Sequence, residues 1–299
     1  MLPELIEKQY FSTPDLLASM QNAMYHSPLD PSSYDLLCRR LRGQLVELCQ
    51  KSKAPHLASA LSAVELLAAL FGNVLNITAT DLSGTDRDRF ILSKGHAAAL
   101  AYAVLFEFGF ITKEQLDSYA KPESKLGEQP IPGALPLMEV ATGSLGHGLP
   151  VGLGMALASK IKRIPYRVFV LMSDGECNEG TVWEAAMMAP AKKLDNLVAI
   201  IDFNKWQATG RSEEIMQLSP LKAKWEAFGW SAHEIDGHNL SEILGVLTKV
   251  PDGTGRPIAV IAHTTKGKGI SFMEDDNNWH YRIPTDEEVI TAKKELKLL

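Results

Sequence analysis

The stretch Arg167-Val168-Phe169-Val170-Leu171-Met172-Ser173-Asp174-Gly175 decides the fold of this chain. Its apolar part is typical of a strand that is buried on both faces of a parallel sheet. A second apolar run, Leu197 to Phe203, ends at Asn204. The residues between the two runs, 179–193, predict a crossover helix. The whole segment therefore predicts a βαβ unit.

A βαβ unit places the ends of its two parallel strands side by side, at the edge where open α/β sheets bind ligands. We expect Asp174 and Asn204 to meet there. Their carboxylate and amide oxygens suit Mg²⁺ or Ca²⁺, and such a metal can hold a diphosphate. Asp174-Gly175 alone is equally typical of a strand-end turn, so the metal hypothesis depends on the pair.

Composition excludes several classes of partner and compartment. The chain has 299 residues, 45% of them hydrophobic, with a net charge of −6 and no basic run. This argues against nucleic acid and anionic membranes as partners. The three cysteines, Cys38, Cys49 and Cys177, have no metal-like spacing, which suits a reducing compartment. Neither a secretory signal nor an apolar run near the roughly 18 residues of a membrane span occurs, so we expect a soluble cytoplasmic protein.

Strands alternate with helices along the chain, which predicts an α/β fold with a parallel sheet flanked by helices. Residues 1–31, which are rich in proline, are expected to form an N-terminal extension, and 32–299 a single domain. The predicted helices are 32–49, 62–73, 97–108, 146–162, 179–193, 221–228 and 240–248, and the predicted strands are 89–93, 167–172, 197–203, 230–235 and 257–263.

Further motifs occur in a fixed order around the βαβ unit. They are His56 with Leu61-Ser62-Ala63-Val64-Glu65, Leu92-Ser93-Lys94-Gly95-His96-Ala97-Ala98, Ala141-Thr142-Gly143-Ser144-Leu145-Gly146, and Thr265-Lys266-Gly267-Lys268-Gly269 with Trp279-His280. From about Leu36 to the C-terminus, the chain resembles the N-terminal, diphosphate-binding half of a transketolase. The resemblance implies a thiamine-diphosphate-binding fold, with thiamine diphosphate and Mg²⁺ (or Ca²⁺) as cofactors.

The resemblance also implies roles for individual residues. Asp174, Asn204 and the backbone carbonyl of Trp206 would bind the metal. His96 and His280 would lie at the cofactor diphosphate or the reacting centre, and His56 near the hydroxyls of the donor ketose. Further cofactor contacts would come from Gly143, Ser144, Leu145, Gly175 and Glu179, together with Asn204.

Histidine suits proton transfer on sugar hydroxyls near neutral pH. From the residues alone, His56 and His96 could equally be capping or core histidines. His280, which follows a polar Asp-Asp-Asn-Asn stretch, could lie in a surface loop. The flanking motifs favour a functional role for His56 and His96.

The activity that the resemblance implies is transfer of a two-carbon ketol unit from a ketose or ketose-phosphate donor to an aldose. The thiazolium ring of the cofactor holds the carbanion that this cleavage leaves. In this family the glutamate that forms the ylid lies on a second, pyrimidine-binding domain. Because the chain ends at Leu299, we expect its partner to be a C-terminal transketolase subunit, in a two-plus-two heterotetramer.

One loop departs from the family pattern. Transketolases usually carry Gly-His-Pro before the Thr-Gly segment, where this chain has Leu126-Gly127-Glu128-Gln129-Pro130. His147 also stands where glutamine is usual. We therefore expect common pentose phosphates to be poor donors, with the Glu128 carboxylate repelling an anionic group.

Four alternative functions can be weighed against this activity. A 2-oxo-acid dehydrogenase α subunit is disfavoured by the Ser-Lys-Gly-His motif, and a deoxyxylulose-phosphate-synthase-like carboligase by the lack of a fused second half. A non-catalytic regulatory module is disfavoured because Asp174, Asn204 and His96 are all present. A dinucleotide-binding domain would need a Gly-x-Gly-x-x-Gly run after its first strand, and none occurs.

Overall fold

A computed structural model describes residues 30–77, 82, 84–135 and 137–299. All but the last two residues of the expected extension, 1–31, lie outside this part of the chain. The described residues contain a five-stranded, wholly parallel sheet in the order β1-β2-β3-β5-β4. Its strands are β1 (Arg89–Leu92), β2 (Val168–Ser173), β3 (Leu197–Phe203), β4 (Ser231–Asp236) and β5 (Ile258–His263). The predicted α/β fold is confirmed.

Helices cover both faces of the sheet. The α-helices are α1 (Pro31–Ser52), α2 (Leu57–Leu61), α3 (Val64–Ala69), α4 (Ala98–Glu107), α5 (Lys113–Asp117), α6 (Gly148–Lys162), α7 (Gly180–Ala191), α8 (Ser212–Ile215), α9 (Leu221–Ala227), α10 (Leu240–Leu247) and α11 (Asp286–Glu295). None of these described helices has the length and apolar character that a bilayer span requires.

The strands of the βαβ unit are buried along their whole length, which is why their sequences are almost continuously apolar. Alternate residues of β2 face opposite cores. Phe169 packs with α1 and α4 residues, whereas Val170 packs with α6 and α7 residues. The register pairs Ser173 with Asp202. Asp174 and Asn204 therefore follow two adjacent strands at the same edge of the sheet.

The first helix begins at Pro31, one residue before the predicted start. Asp30 is the reason, because its side chain accepts hydrogen bonds from the backbone N–H groups of Ser32 and Ser33. Pro31 occupies the first helical turn, where a missing N–H costs nothing. The helix ends at Ser52, and the next residue, Lys53, adopts a left-handed conformation with φ 56°.

The helix predicted over 62–73 is observed from Val64 onward, but a separate short helix that the sequence did not predict precedes it. The chain forms α2, then α3, then a short π-helical turn, Leu70–Val74. Between α2 and α3, the Ser62 hydroxyl donates to the Asp202 carboxylate at 2.6 Å, and its oxygen lies 3.0 Å from the carbonyl oxygen of Ser59. The break places a buried hydroxyl under the carboxyl edge of the sheet.

Candidate active site

Three histidines from distant parts of the sequence meet at the carboxyl edge of the sheet. The ring centroids of His56 and His280 are 5.1 Å apart, those of His56 and His96 5.6 Å, and those of His96 and His280 6.3 Å. The backbone N–H of His56 also donates to the carbonyl of His280 at 2.9 Å. The surface-loop alternative for His280 does not hold, because its exposed fraction is only 9%.

All three imidazoles are neutral at neutral pH. Burial, reinforced by the nearby Lys266 charge, lowers the pKa of His280 to about 3. The same two causes lower the pKa of His56, while burial and the Lys94 charge hold the pKa of His96 well below its usual value. A neutral imidazole can either donate or accept a proton, so the cluster has the chemistry needed to act on hydroxyl groups.

Lys266 places a buried positive charge beside this cluster. Its Nζ lies 2.9 Å from His280 Nδ1 and 2.6 Å from Asn277 Oδ1. An ammonium group only donates, so Nδ1 of His280 accepts and the neutral ring carries its proton on Nε2. Burial, followed by repulsion from Lys94, lowers the pKa of Lys266 to about 8. A buried cation whose two hydrogen-bond partners are uncharged suits an anionic ligand.

The predicted metal ligands Asp174 and Asn204 lie close together, as expected. Asp174 Oδ2 accepts from the N–H of Lys205 at 2.9 Å and from Ser212 Oγ at 2.8 Å, while Asn204 Oδ1 accepts from the N–H of Trp206 at 3.0 Å. Asp174 is fully buried. Burial raises its pKa to about 6.

The donor chemistry of this pair fits a hard divalent cation bound through oxygen. In the described part of the chain, no group of three or more histidine, cysteine, aspartate or glutamate side chains converges as a metal site. A metal here would therefore depend on one carboxylate, one amide oxygen and backbone carbonyl groups.

A shielded, unpaired donor lies next to the same edge. The Nε2 atom of Gln207 is buried and has no hydrogen-bond partner among the described residues. Its side chain lies against Gly175, where an added Cβ would approach Gln207 Cγ to 3.0 Å. A diphosphate oxygen would satisfy this donor. Together with the Lys266 cation, Gln207 makes the local chemistry compatible with a metal-bound diphosphate.

The Gly143-Ser144-Leu145 segment lies at the entrance to α6. Gly143 and Ser144 are exposed, and Leu145 is half-buried. The next residue, Gly146, lies against Glu179, since a Cβ on Gly146 would come within 2.6 Å of Glu179 Cβ. The predicted cofactor residues of this segment and Glu179 therefore lie side by side, at the N-terminal ends of α6 and α7.

In the loop that departs from the family pattern, residues 126–130, the two polar side chains Glu128 and Gln129 have different surroundings. Glu128 is exposed and lies close enough to Cys49 for its charge, after burial, to help raise the thiol pKa to about 12. Gln129 instead packs on Gly143, where an added Cβ would lie 2.4 Å from Gln129 Oε1. That oxygen is buried without a partner among the described residues. Gln129, not Glu128, is thus the loop residue in contact with the predicted cofactor segment.

Sequence reasoning overlooked three buried charged residues near the site. Lys94 and Asp202 form a fully buried ion pair. The carboxylate of Glu176 contacts Ser93 Oγ and accepts from the N–H of Gly146 at 2.9 Å. One signal could have found Asp202, because it is the only charged residue in the run Leu197 to Phe203.

Comparison with known proteins agrees with this geometry. The family described as transketolase, thiamine diphosphate binding domain, matches residues 35–298. The chain is 41% identical over 265 residues to a subunit of the apulose-4-phosphate transketolase of Phocaeicola vulgatus, covering 88% of this chain and 93% of that protein. It is 37% identical over 257 residues to 6-deoxy-6-sulfo-D-fructose transketolase subunit SqwG of Clostridium sp., covering 86% and 94%.

Longer transketolases match over only part of their length. The human transketolase is 38% identical over 260 residues, which cover 86% of this chain and 41% of that protein. The crystal structure of transketolase from Campylobacter jejuni superposes with a TM-score of 0.82 at 27% identity, covering 90% of this chain and 43% of that one. The chain thus spans about two fifths of the length of these proteins.

The fold and the site together define a thiamine-diphosphate-binding α/β domain. This chain belongs to the transketolase family. The predictions of the family, of the thiamine-diphosphate-binding fold and of a transketolase-type transferase are confirmed.

Proposed function

We propose that this chain is the diphosphate-binding subunit of a split transketolase, which transfers a two-carbon ketol unit from a ketose donor to an aldose acceptor. The observation that carries the proposal is the meeting of a neutral histidine cluster, a buried lysine and a carboxylate–amide pair at one edge of the sheet. The negative charge of Asp174 opposes the fall in the pKa of Lys266, which places the two groups within electrostatic reach of each other.

Relatives support the split-enzyme assignment and suggest the class of donor. Three relatives that match over nearly their full length are each named as one subunit of a transketolase. Their names refer to apulose-4-phosphate and to 6-deoxy-6-sulfo-D-fructose, sugars that carry a phosphate or a sulfo group. We infer that the donor here is a ketose with an anionic group of this kind.

For the cofactor, we assign Mg²⁺ (or Ca²⁺) to Asp174, Asn204 and the carbonyl of Trp206. The diphosphate is assigned to Lys266 and Gln207, together with the other predicted contacts, His96, Gly143, Ser144, Leu145, Gly175, Glu179 and His280. A hard cation needs oxygen ligands, and a diphosphate needs a cation and directed N–H donors. Bound thiamine diphosphate supplies the electron sink for cleavage beside the carbonyl.

The histidine cluster provides proton transfer in this scheme. His280 carries its proton on Nε2, because Lys266 occupies Nδ1, and can donate a hydrogen bond to a substrate oxygen. His56, whose pKa is lowered by burial, is neutral and can take a proton from a donor hydroxyl. The imidazoles lie within 5.1–6.3 Å of one another, so a single sugar can contact more than one of them.

We infer that a C-terminal, pyrimidine-binding subunit completes the site, in a two-plus-two heterotetramer. The supporting observation is an exposed helix face, formed by Val151 and Gly154 of α6 with Gly180, Met187 and Met188 of α7. A Cβ placed on Gly154 or Gly180 would meet nothing within 4 Å, so another backbone can approach closely. The face continues from Ser144 and Glu179, which links it to the cofactor site.

We further propose that the domain comprises residues 32–299, with 1–31 as an extension, and that the protein is cytoplasmic. The three cysteines are all buried and free, which is compatible with a reducing compartment.

The test is reconstitution. The purified chain, supplied with thiamine diphosphate, Mg²⁺ and a panel of phosphorylated ketoses, should show no ketol transfer until the partner subunit is added. Transfer to an aldose should then appear in proportion to the limiting component. A His96→Asn variant in the same mixture is the control, because it keeps a hydrogen-bonding side chain but removes the imidazole. Turnover by the isolated chain would contradict the split-enzyme proposal. If the mixture transferred a ketol unit from none of the ketoses in the panel, the proposed transketolase activity would be contradicted.

A further inference from the structure

The buried ion pair between Lys94 and Asp202 lies between the two halves of the candidate site. Both side chains are completely shielded, and Lys94 Nζ contacts Asp202 Oδ2. Lys94 Nζ also donates to the carbonyl of Ser59 at 2.8 Å. Ser59 lies in α2, the helix that begins directly after His56. Lys94 lies two residues before His96. The pair therefore connects the central strand β3 with two of the histidine-bearing segments.

On β3, the Asp202 carboxylate accepts hydrogen bonds from three further side chains besides Lys94. Ser62 Oγ donates to Oδ2 at 2.6 Å, Thr264 Oγ1 donates to Oδ1, and Asn204 Nδ2 donates to Oδ2 at 3.4 Å. An ionised carboxylate can only accept hydrogen bonds, so each of these neighbours must present a hydrogen. This requirement fixes the orientation of the Asn204 amide.

With its NH₂ group turned to Asp202, Asn204 directs Oδ1 to the other side. There Oδ1 accepts from the N–H of Trp206 at 3.0 Å and retains a second lone pair. A flipped amide would place Oδ1 against the negative Asp202 carboxylate and Nδ2 against the Trp206 N–H. Both contacts would be repulsive, so Asp202 selects the one orientation in which Asn204 can bind a cation.

We propose that the Lys94–Asp202 ion pair is the positioning element of the metal site, which holds the Asn204 oxygen toward the divalent cation. Lys94 supplies the opposite charge that a fully buried carboxylate requires. This inference rests on the proposed function. Lys94 and Asp202 would not touch the metal themselves; they would act by orienting the amide of Asn204.

The direct test is Asp202→Asn in the full chain assembled with its partner subunit. The substitution keeps the shape of the side chain but lets it donate to Asn204 Oδ1, so the amide of Asn204 loses its single orientation. The apparent Kd for Mg²⁺, measured by calorimetric titration in the presence of thiamine diphosphate, should rise roughly 10- to 100-fold, the usual effect of removing an outer-shell partner. Saturating Mg²⁺ should restore cofactor binding, which it would not do for a folding defect.

The matched control is Asp88→Asn. Asp88 is also a buried carboxylate, paired with Arg167, but it precedes β1 at the opposite end of the strands. The control should leave the Mg²⁺ affinity unchanged while lowering the unfolding temperature as much as Asp202→Asn does. A Kd for Mg²⁺ in Asp202→Asn equal to that of Asp88→Asn would overturn the inference.

A second variant covers the case in which Asp202→Asn does not fold. The double substitution Lys94→Met with Asp202→Asn removes both charges, so no unpaired buried charge remains. It should fold and show the same loss of Mg²⁺ affinity, and unaltered affinity would overturn the inference. If the unsubstituted complex bound no thiamine diphosphate with Mg²⁺, the proposed function would fail as well, so the two failures are distinguishable.

Discussion

Lys266 Nζ lies 2.9 Å from Nδ1 of His280, and this contact joins the Gly-rich turn to the Trp279-His280 motif beside the histidine cluster. It sets the tautomer of His280 and, together with burial as the larger cause, keeps the pKa of His280 low. Burial, followed by repulsion from Lys94, lowers the pKa of Lys266 itself to about 8. The affinity for a diphosphate should therefore depend on pH.

The pKa of Lys266 determines whether the affinity for the cofactor rises or falls with pH. An anionic ligand favours the protonated lysine. Because Lys266 is already charged below pH 8, the affinity for thiamine diphosphate should be flat from there down to about pH 6, where the metal ligand Asp174 becomes protonated. Above pH 8, the unliganded site loses its charge, and the affinity should fall by up to about tenfold per pH unit. Lys266→Met should bind weakly at every pH, with no such fall. Cofactor titrations of the reconstituted enzyme between roughly pH 6.5 and 9.5 would measure it.

Lys268→Met is the control for this experiment. Lys268 lies in the same turn, but its side chain is partly exposed and paired with Glu274. It should retain the affinity and the pH profile of the unsubstituted protein. A Lys266→Met variant whose affinity still falls above pH 8 would show that another group carries the dependence.

Two substitutions of Asp174 separate metal binding from stability. Asp174→Asn keeps the side-chain shape but removes the charge, so metal-dependent binding of thiamine diphosphate should fall by at least about 100-fold, beyond the loss of an outer-shell partner. Asp174→Ala should in addition lower the free energy of unfolding by roughly 1–3 kcal/mol, since the N–H of Lys205 and the hydroxyl of Ser212 lose their acceptor. Chemical denaturation and calorimetric titration together distinguish the effects. Equal stability of the two variants would refute this interpretation of the buried carboxylate.

The exposed face of α6 and α7 should carry the partner subunit. Met187, with an exposed fraction of 56%, is central to α7 on this face. Met187→Glu would bury a charge on assembly and should weaken the complex by at least about tenfold. Light scattering of the co-expressed subunits, with dilution from micromolar concentration, would measure the shift from the two-plus-two assembly.

Ile290→Glu provides the comparison for that experiment. Ile290 is 47% exposed, but it lies on α11, which packs against α1 on the opposite side of the sheet from α6 and α7. It should leave the assembly intact. A stable one-to-one dimer formed by the unsubstituted proteins would contradict the predicted stoichiometry.

The sequence predicted all five strands to within about a residue. The clearest signals came from β2, β3 and β5, because almost completely buried strands leave long apolar runs. Only the resemblance assigned His56, His96 and His280 to the cofactor and the donor sugar, and these three rings meet in the structure. The sequence did not predict the Lys94–Asp202 pair, since residues so far apart carry no local signal of their contact. It also did not predict the separate helix α2, which ends just before the Ser62 hydroxyl donates to the Asp202 carboxylate.

The last prediction concerns the loop of residues 126–130, which departs from the family pattern. Gln129 packs on Gly143, with its Oε1 atom buried and without a partner among the described residues, whereas Glu128 is exposed. An amide at this position can accept from a donor hydroxyl but cannot take its proton, unlike the imidazole usual in transketolases. A polar site rejects a mismatched substrate strongly, because buried groups are left unpaired.

We therefore expect xylulose 5-phosphate to be a poor donor, and Gln129→His to raise its kcat/KM at least about tenfold relative to other phosphorylated ketoses, a change of roughly 1.4 kcal/mol in the transition state. Glu128→Gln should leave the preference unchanged, because Glu128 is exposed and Gln129 is the residue that contacts Gly143. Steady-state kinetics with a panel of ketoses, with and without phosphate, would measure both variants. High efficiency of the unsubstituted enzyme with xylulose 5-phosphate would reject the prediction, and a shift caused by Glu128→Gln alone would transfer the role to the carboxylate.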